Sequence, residues 1–359
     1  MKSGIFTLDP ALRTGRRRFR GFSLVEVLVS MTILLGMLLI ITQVISSAQQ
    51  TWRRASQRLS QFREARTAFD TITRGLSQAA INSYRTYDYG YGGPPGVPKS
   101  PLQAPTGYTT TAELGIVMGQ SNSIFTGLGG STVSPGHAVL FQAPLGYTLN
   151  PDYRQLNRLM CVRGYYILFG SDTDYMPQGL TGSLQTKYRY RLWEYQPPAE
   201  TNMVYAPGKT TAWTKVAAGD MAPSSGVNTV RPVAENILTL VLAPSFGAAA
   251  SGGGSVVTVN QNSAPTHYEF NSYTPADSAL KYHLPTSVQV VMVAIDEESA
   301  IRLAQQYGTN PPQLYAASFN NPAALANDLK IVRESLLKRH VNFRVFSSSV
   351  ILSAANNNG

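Results

Sequence analysis

Between Phe22 and Ile45 the chain runs for 24 residues that are almost all apolar or small, with one ionised side chain, Glu26. About 20 such residues suffice to cross the hydrocarbon core as a helix, so this stretch dictates a membrane-spanning or otherwise lipid-covered helix. A carboxylate at the centre of a bilayer costs on the order of a few kcal/mol, so a chain that keeps one near the start of such a helix has a use for it. A basic cluster, Arg16, Arg17, Arg18 and Arg20, stands before the run, followed by Gly21. An ordinary signal anchor would account for the length. A secretory signal peptide would carry its small residue after the apolar core, with cleavage there. Here Gly21 precedes the core, so a cut at that point leaves the helix on the mature chain.

Residues 21–30 read G-F-S-L-V-E-V-L-V-S. This stretch resembles the type IV prepilin class 3 leader: a basic leader, Gly at −1, Phe at +1, Glu at +5, then a hydrophobic helix. The resemblance implies cleavage by prepilin peptidase between Gly21 and Phe22, and N-methylation of the new N-terminus at Phe22. It also implies that Glu26 faces the positive amino terminus of a neighbouring subunit, two costly charges neutralising each other. Other pilin or pseudopilin subunits and an inner-membrane assembly platform are the partners it implies. One departure stands out. Many major pilins carry a proline midway along this helix, and none occurs between Phe22 and Ala80.

The formal charge of +10 and pI near 9.6 would ordinarily point to nucleic acid or an anionic surface. Residues 1–21 hold Lys2, Arg13 and the four clustered arginines against Asp9, a net of +5, so the cleaved chain keeps only +5. Much of that lies at Arg53, Arg54, Arg58, Arg63, Arg66 and Arg74, opposed by Glu64 and Asp70. The head is then close to neutral, and nucleic acid is not the favoured partner. The leader's charge places the N-terminus in the cytoplasm of a bacterial cell and everything after about Ile45 in the periplasm, as a single-pass inner-membrane protein that then enters a filament. Cys161 is the single cysteine and sits in an apolar, strand-like context, which favours a buried, inert thiol.

Beyond the apolar run, Trp52, Ala55, Leu59, Phe62, Ala65, Phe69, Ile72, Leu76 and Ala79 recur at alternating spacings of three and four. That is one face of a helix, so the chain predicts one continuous helix, roughly 90 Å long at 1.5 Å per residue, from Phe22 to about Ala80. The expected division is a cleaved leader at 1–21, a transmembrane helix at 22–45, an amphipathic continuation at 46–82 and a β-rich head at 83–359. A free coiled coil is the other reading of residues 46–82. The small residues Ala48, Ala55 and Ala65 favour packing on the head. Residues 84–107 are rich in Tyr, Gly and Pro and read as an irregular connection, either packed over its own domain or forming a partner-binding surface.

Strands are expected at His137 to Gln142, Val162 to Phe169, Lys187 to Tyr195, Ile237 to Leu242, His267 to Tyr273, Ser287 to Ile295 and Asn342 to Leu352. Lys187 to Tyr195 alternates as a half-buried strand would, whereas Ser287 to Ile295 is nearly all apolar and reads as central. Gly247 to Ser255 reads as a flexible loop. Short surface helices are expected at Asp296 to Tyr307 and Pro322 to Arg339, the second amphipathic through Leu325, Leu329, Val332 and Leu336. The fold class is therefore α+β: a long N-terminal helix packed on a mostly antiparallel sheet. The segments around Val233–Ile237, Leu284–Val288 and Phe343–Phe346 make the head similar to that of the J-type minor pseudopilins of type II secretion. Residues 61–70 and 74–84 resemble the Verru/Chthon cassette protein C family more closely.

Chemistry finds little support. His137, His267, His283 and His340 are scattered, and no zinc spacing, nucleophile elbow or phosphate loop occurs. No catalytic residue and no cofactor are expected, although a triad assembled by folding stays open. Asp172 and Asp174, with Asp152, form a calcium candidate that lacks the remaining EF-hand ligands and reads better as a turn. Asp296, Glu297 and Glu298 read as the acidic start of a helix. Two function classes follow: a structural minor pilin or pseudopilin subunit, or a filament-displayed binding module for adhesion, DNA uptake or polymer capture.

Overall fold

The computed structural model describes residues 23–93, 95–128, 130, 133–173, 186–201, 205, 212–217, 219, 229–246, 268–275, 280–316 and 319–352, without the side chains of residues 54–61. The chain divides into two units, Met1–Ser56 and Gln57–Gly359. Helix α1, Leu24–Ser77, begins in the first and ends in the second.

In the first unit, α1 has a 30-residue stretch, Leu24–Arg53, long and apolar enough to cross a membrane, with none of its core window buried by protein. Leu24, Leu39, Ile40 and Val44 are each more than 60% exposed. A continuous apolar surface of this size needs lipid or other subunits around it. The hydroxyls within the run are satisfied internally. Ser30 Oγ donates to Val27 O at 2.9 Å, Thr32 Oγ1 to Val29 O at 2.8 Å and Thr42 Oγ1 to Leu38 O at 2.7 Å. Such back-bonding removes the penalty of a bare hydroxyl in hydrocarbon.

In the second unit, Ala65, Ala68, Phe69, Ile72, Leu76 and Ala79 are buried in the main core, and Phe62 is half-buried. The predicted stripe is thus core from Ala65 onward, while Trp52 is 78% exposed. The strands follow in order: β1 Tyr84–Asp88, β2 Gly107–Thr111, β3 Ile116–Gln120, then the short helix α2 Ser121–Ile124, β4 Phe125–Thr126, β5 His137–Pro144, β6 Met160–Gly170, β7 Arg189–Tyr195, β8 Val216–Ala217, β9 Val230–Glu235, β10 Ile237–Ser245, β11 Phe270–Asn271 and β12 Ser287–Ile295. Helix α3, Glu297–Tyr307, helix α4, Leu325–Lys338, and strand β13, Phe343–Ile351, complete the described elements.

A six-stranded antiparallel sheet has the order β11-β3-β5-β6-β7-β9, and a three-stranded antiparallel sheet has β10-β12-β13. Among the described residues only the two-residue pairing of β4 with β8 is parallel. The fold is α+β, with an apolar N-terminal helix followed by a mostly antiparallel sheet head, consistent with a pilin-like fold. β12 is the central strand of its sheet, as its nearly continuous apolar run predicts. The large sheet is covered on both faces: Val139 and Phe141 enter the core shared with α1, while Ala138 and Leu140 enter a second cluster with Phe125, Trp193 and Trp213. Helix α3 starts where expected, with Asp296 as N-cap accepting from Ser299 N at 2.9 Å. In α4, Leu325, Val332 and Leu336 are buried.

Two expectations change. Residues 84–107 are not irregular throughout, because Tyr84–Asp88 pairs antiparallel with Gly107–Thr111, leaving the glycines and prolines between them as the loop of a ribbon. Tyr87 and Tyr108 face each other on this ribbon with rings 5.3 Å apart, 47% and 72% exposed, so its aromatic face is not packed over the domain. The second change is in β7, where all seven residues are buried. Its charged positions do not face solvent: Arg189, Arg191 and Glu194 are sheathed by protein and held in ion pairs. His267, Asp174 and Gly247 to Ser255 lie outside the described residues.

Candidate functional site

Ser23 accepts from both Glu26 N at 3.0 Å and Val27 N at 3.1 Å, so the first turn of α1 closes on the residue that follows the Gly21-Phe22 pair by one position. Glu26 lies in that first turn and is exposed. A carboxylate there is favoured by the positive end of the helix dipole, which offsets part of its desolvation. Among the described residues it forms no ion pair. Gly21, Phe22 and the cluster Arg16, Arg17, Arg18 and Arg20 lie outside the described residues.

Of the calcium candidate pair, Asp172 is described and Asp174 is not. The carboxylate of Asp172 accepts from Lys187 N at 2.8 Å, a local brace before β7. The Asp152 backbone belongs to a 3-10 turn capped by Asn150. No group of three or more metal-ligating side chains is gathered among the described residues. His137 is fully buried in β5: its Nδ1 accepts from Leu242 N at 3.0 Å, so its Nε2–H donates to Phe319 O at 3.0 Å. Burial pulls its pKa down to about 4, against the raising effect of these two backbone partners, and the ring is a neutral core brace. His340 ends the α4 region with a positive φ of 53°, and His283 Nδ1 lies 2.8 Å from Lys281 O. Cys161 is fully buried with its thiol near the carbonyls of Tyr147 and Leu159, and burial pushes its pKa up. These side chains do not converge.

What the sequence reading missed is an ionic cluster at the corner where β9 passes into β10 and so from one sheet to the other. Asn236 turns that corner with φ of 61°; its N–H donates to Tyr190 O, and its carbonyl accepts from Ile295 N. Around it Arg189 pairs with Glu297 and, at 3.6 Å, Glu235, while Arg191 Nε meets Glu235 at 3.0 Å. Asn236 Nδ2 donates to Glu297 at 2.9 Å, and Glu64 of α1 accepts from Glu235 N at 3.2 Å. Burial pushes the Glu64 carboxyl up; the Glu235 and Glu297 carboxylates push it the same way, against the pull of the Glu235 N–H. An Arg-x-Arg pair in a strand was the only sequence signal for this cluster.

Compared with known families, residues 16–42 match the prokaryotic N-terminal methylation motif. No curated protein and no solved structure matches the chain. The match spans the basic cluster, Gly21, Phe22, Glu26 and most of the apolar half of α1, and it leaves the head unassigned. The N-terminus of this chain is that of a type IV prepilin-like protein.

Proposed function

We propose that the protein is a minor pilin or pseudopilin, a structural subunit of a type IV pilus-like or type II secretion pseudopilus filament. One observation carries the reading. The methylation motif at residues 16–42 opens a single helix whose start is apolar and exposed and whose end, Ala65 to Leu76, is core of the head. A helix of that kind ties a membrane-extracted filament core to its own surface domain. Prepilin peptidase cuts between Gly21 and Phe22, Phe22 is methylated, and the Glu26 carboxylate neutralises the N-terminal amine of a neighbouring subunit. The leader charge holds the N-terminus in the cytoplasm and the head in the periplasm. The large β-rich head fits a J-type or Verru/Chthon cassette protein C-like subunit at the tip or side of a short filament. The reading needs no catalytic residue, metal or cofactor, and it names no nucleic acid.

Intact mass from cells with and without prepilin peptidase tests the processing. The expected species begins at Phe22 and carries one added methyl; an unprocessed Met1 start in the presence of the peptidase refutes it. Glu26→Ala should be cleaved normally and lose filament incorporation at least tenfold. Wild-type incorporation of that variant overturns the role of Glu26.

The exposed Tyr87–Tyr108 face favours a second reading, a binding module carried on the filament, since paired aromatic rings in solvent are a ready contact surface. Filaments carrying Tyr87→Ser with Tyr108→Ser would then assemble normally but lose surface or polymer adhesion. Unchanged adhesion leaves the structural role alone.

A further inference from the structure

An edge strand presents outer N–H and C=O groups with no ladder to join, and natural folds blunt or cover such edges because they template pairing with another chain. Three edges of the two larger sheets are blunted or taken. β9 carries Pro232, and its Glu235 N–H is bonded to Glu64 of α1. β11 is two residues long. β10, one edge of the three-stranded sheet, is turned against β5, where its Leu242 N–H donates to His137 Nδ1 at 3.0 Å.

β13, the other edge of that sheet, is open. It pairs with β12 from Phe343 to Ile351 without a shift of register. Just beyond its two ends, Asp296 N–H donates to Asn342 O and Leu352 N–H to Thr286 O. The bonds to β12 therefore come from the even-numbered residues, and the N–H and C=O groups of Phe343, Val345, Ser347, Ser349 and Ile351 point outward. Among the described residues none of these outward groups is hydrogen-bonded. No proline interrupts the strand, and Ser347, Ser348 and Ser349 are short and exposed, so a further backbone can reach ladder distance. Ile351 is left 66% exposed at the end of the edge.

One charge marks the edge. Arg344 is exposed, its guanidinium 6.0 Å from the ring of Phe62 and 5.7 Å from that of Phe346, so cation–π attraction holds it in place. Among the described residues it forms no ion pair. Towards an added antiparallel strand, Arg344 stands at a non-hydrogen-bonded position, where facing side chains come closest. The side chain that answers it there is a carboxylate. A second copy of β13 in full antiparallel overlap, centred on Ser347, would set Val350 against Arg344 and leave the charge unanswered.

We propose that β13 is a docking edge for an extended segment of another protein, which adds antiparallel as a fourth strand of the β10-β12-β13 sheet with a carboxylate beside Arg344. Main-chain bonds supply the affinity of such an addition, and the acid fixes its register. The edge belongs to the head, so this proposal and the processing of the N-terminal leader stand or fail separately.

The full chain in lipid nanodiscs can be titrated with a fluorescent, C-amidated peptide T-V-T-V-T-E-T and followed by anisotropy. With its glutamate beside Arg344, its threonines bond to the outward residues from Phe343 to Ser349. Saturable binding is expected. N-methylation of the threonines should weaken it about tenfold, whereas N-methylation of the valines and the glutamate, whose N–H groups face away, should leave it nearly unchanged. Lysine in place of the glutamate should weaken binding about threefold, and Arg344→Glu should reverse that order. Ser347→Pro removes one outward N–H and none of the bonds to β12, so it should keep the unfolding midpoint and weaken binding about tenfold. No saturable binding, or equal effects of the two methylation patterns on the wild-type chain, overturns strand addition. Indifference to the sign of the peptide's charge overturns the acidic occupant. A full-chain dimer in sedimentation that Ser347→Pro dissociates would put a second copy on the edge and overturn the foreign partner.

Discussion

Glu194, 1% exposed near the end of β7, is held by Arg163 at 3.2 Å, by Arg231 and by the Tyr165 hydroxyl, which donates at 2.9 Å. Removing one member of such a group strands the others in low dielectric, so Glu194→Ala should lose about 3–5 kcal/mol in urea unfolding. Glu194→Gln keeps the shape and part of the hydrogen bonding and should lose less; equal losses would mean that packing, and not charge, holds this position. His137 makes a separate prediction about pH. Its pKa is about 4 when folded against about 6.5 in the open chain, so between those values the unfolded state binds the extra proton. Stability contributed here is intact above about pH 6.5 and falls by up to about 3 kcal/mol as the pH drops to about 4. Unfolding free energies at pH 7.5 and 4.5 should differ less in His137→Asn than in wild type. An unchanged difference would place the acid sensitivity elsewhere.

At the scale of elements, α1 was legible because apolar spacing of three and four persists without proline through Leu76, and its burial begins where the spacing meets the head, at Ala65. The strand β12 was legible because its last six residues, Val290–Ile295, are all apolar and buried, with Gln289 its one exposed position. β7 misled because Arg189 and Arg191 sit at alternate positions, as on a solvent face, and only the fold brings Glu235 and Glu297 against them. β9 was missed because Pro232 interrupts it; a proline is tolerated there since β9 is an edge strand, paired only with β7. Of the candidate features, the methylation motif was readable because it lies in one run of consecutive residues. The ionic cluster around Asn236 was not, since Arg189 and Glu297 stand more than a hundred residues apart in the chain. At Gly75, α1 comes close against the sheet. A Cβ there would fall 2.8 Å from the Tyr165 hydroxyl, which cannot swing away while bonded to Glu194. Gly75→Ala should therefore destabilise by about 1–3 kcal/mol, although alanine is the better helix former by about 1 kcal/mol. Net stabilisation on thermal or urea unfolding would show that Tyr165 yields.

At the scale of the whole molecule, two solvents act on one helix. The first unit, Met1–Ser56, carries the apolar stretch Leu24–Arg53, exposed among the described residues, and the second, Gln57–Gly359, owns a core that includes the end of the same helix. The cleavage and assembly proposed above would draw on the first unit, and the core of the head lies in the second. A chain begun at Gln57 should consequently stay soluble without detergent and keep the β-rich circular dichroism and the cooperative unfolding of the full protein. A chain begun at Tyr84 should not, because it also discards Phe69, Ile72 and Leu76, which are 6%, 0% and 0% exposed. Loss of each large core side chain costs about 2–5 kcal/mol, and three together rival the 5–15 kcal/mol that hold a typical domain folded. Cooperative unfolding by the Tyr84 chain would show that α1 merely rests on the head. Aggregation of the Gln57 chain would show that the head depends on the membrane half as well, and the division of labour within the helix would have to be abandoned.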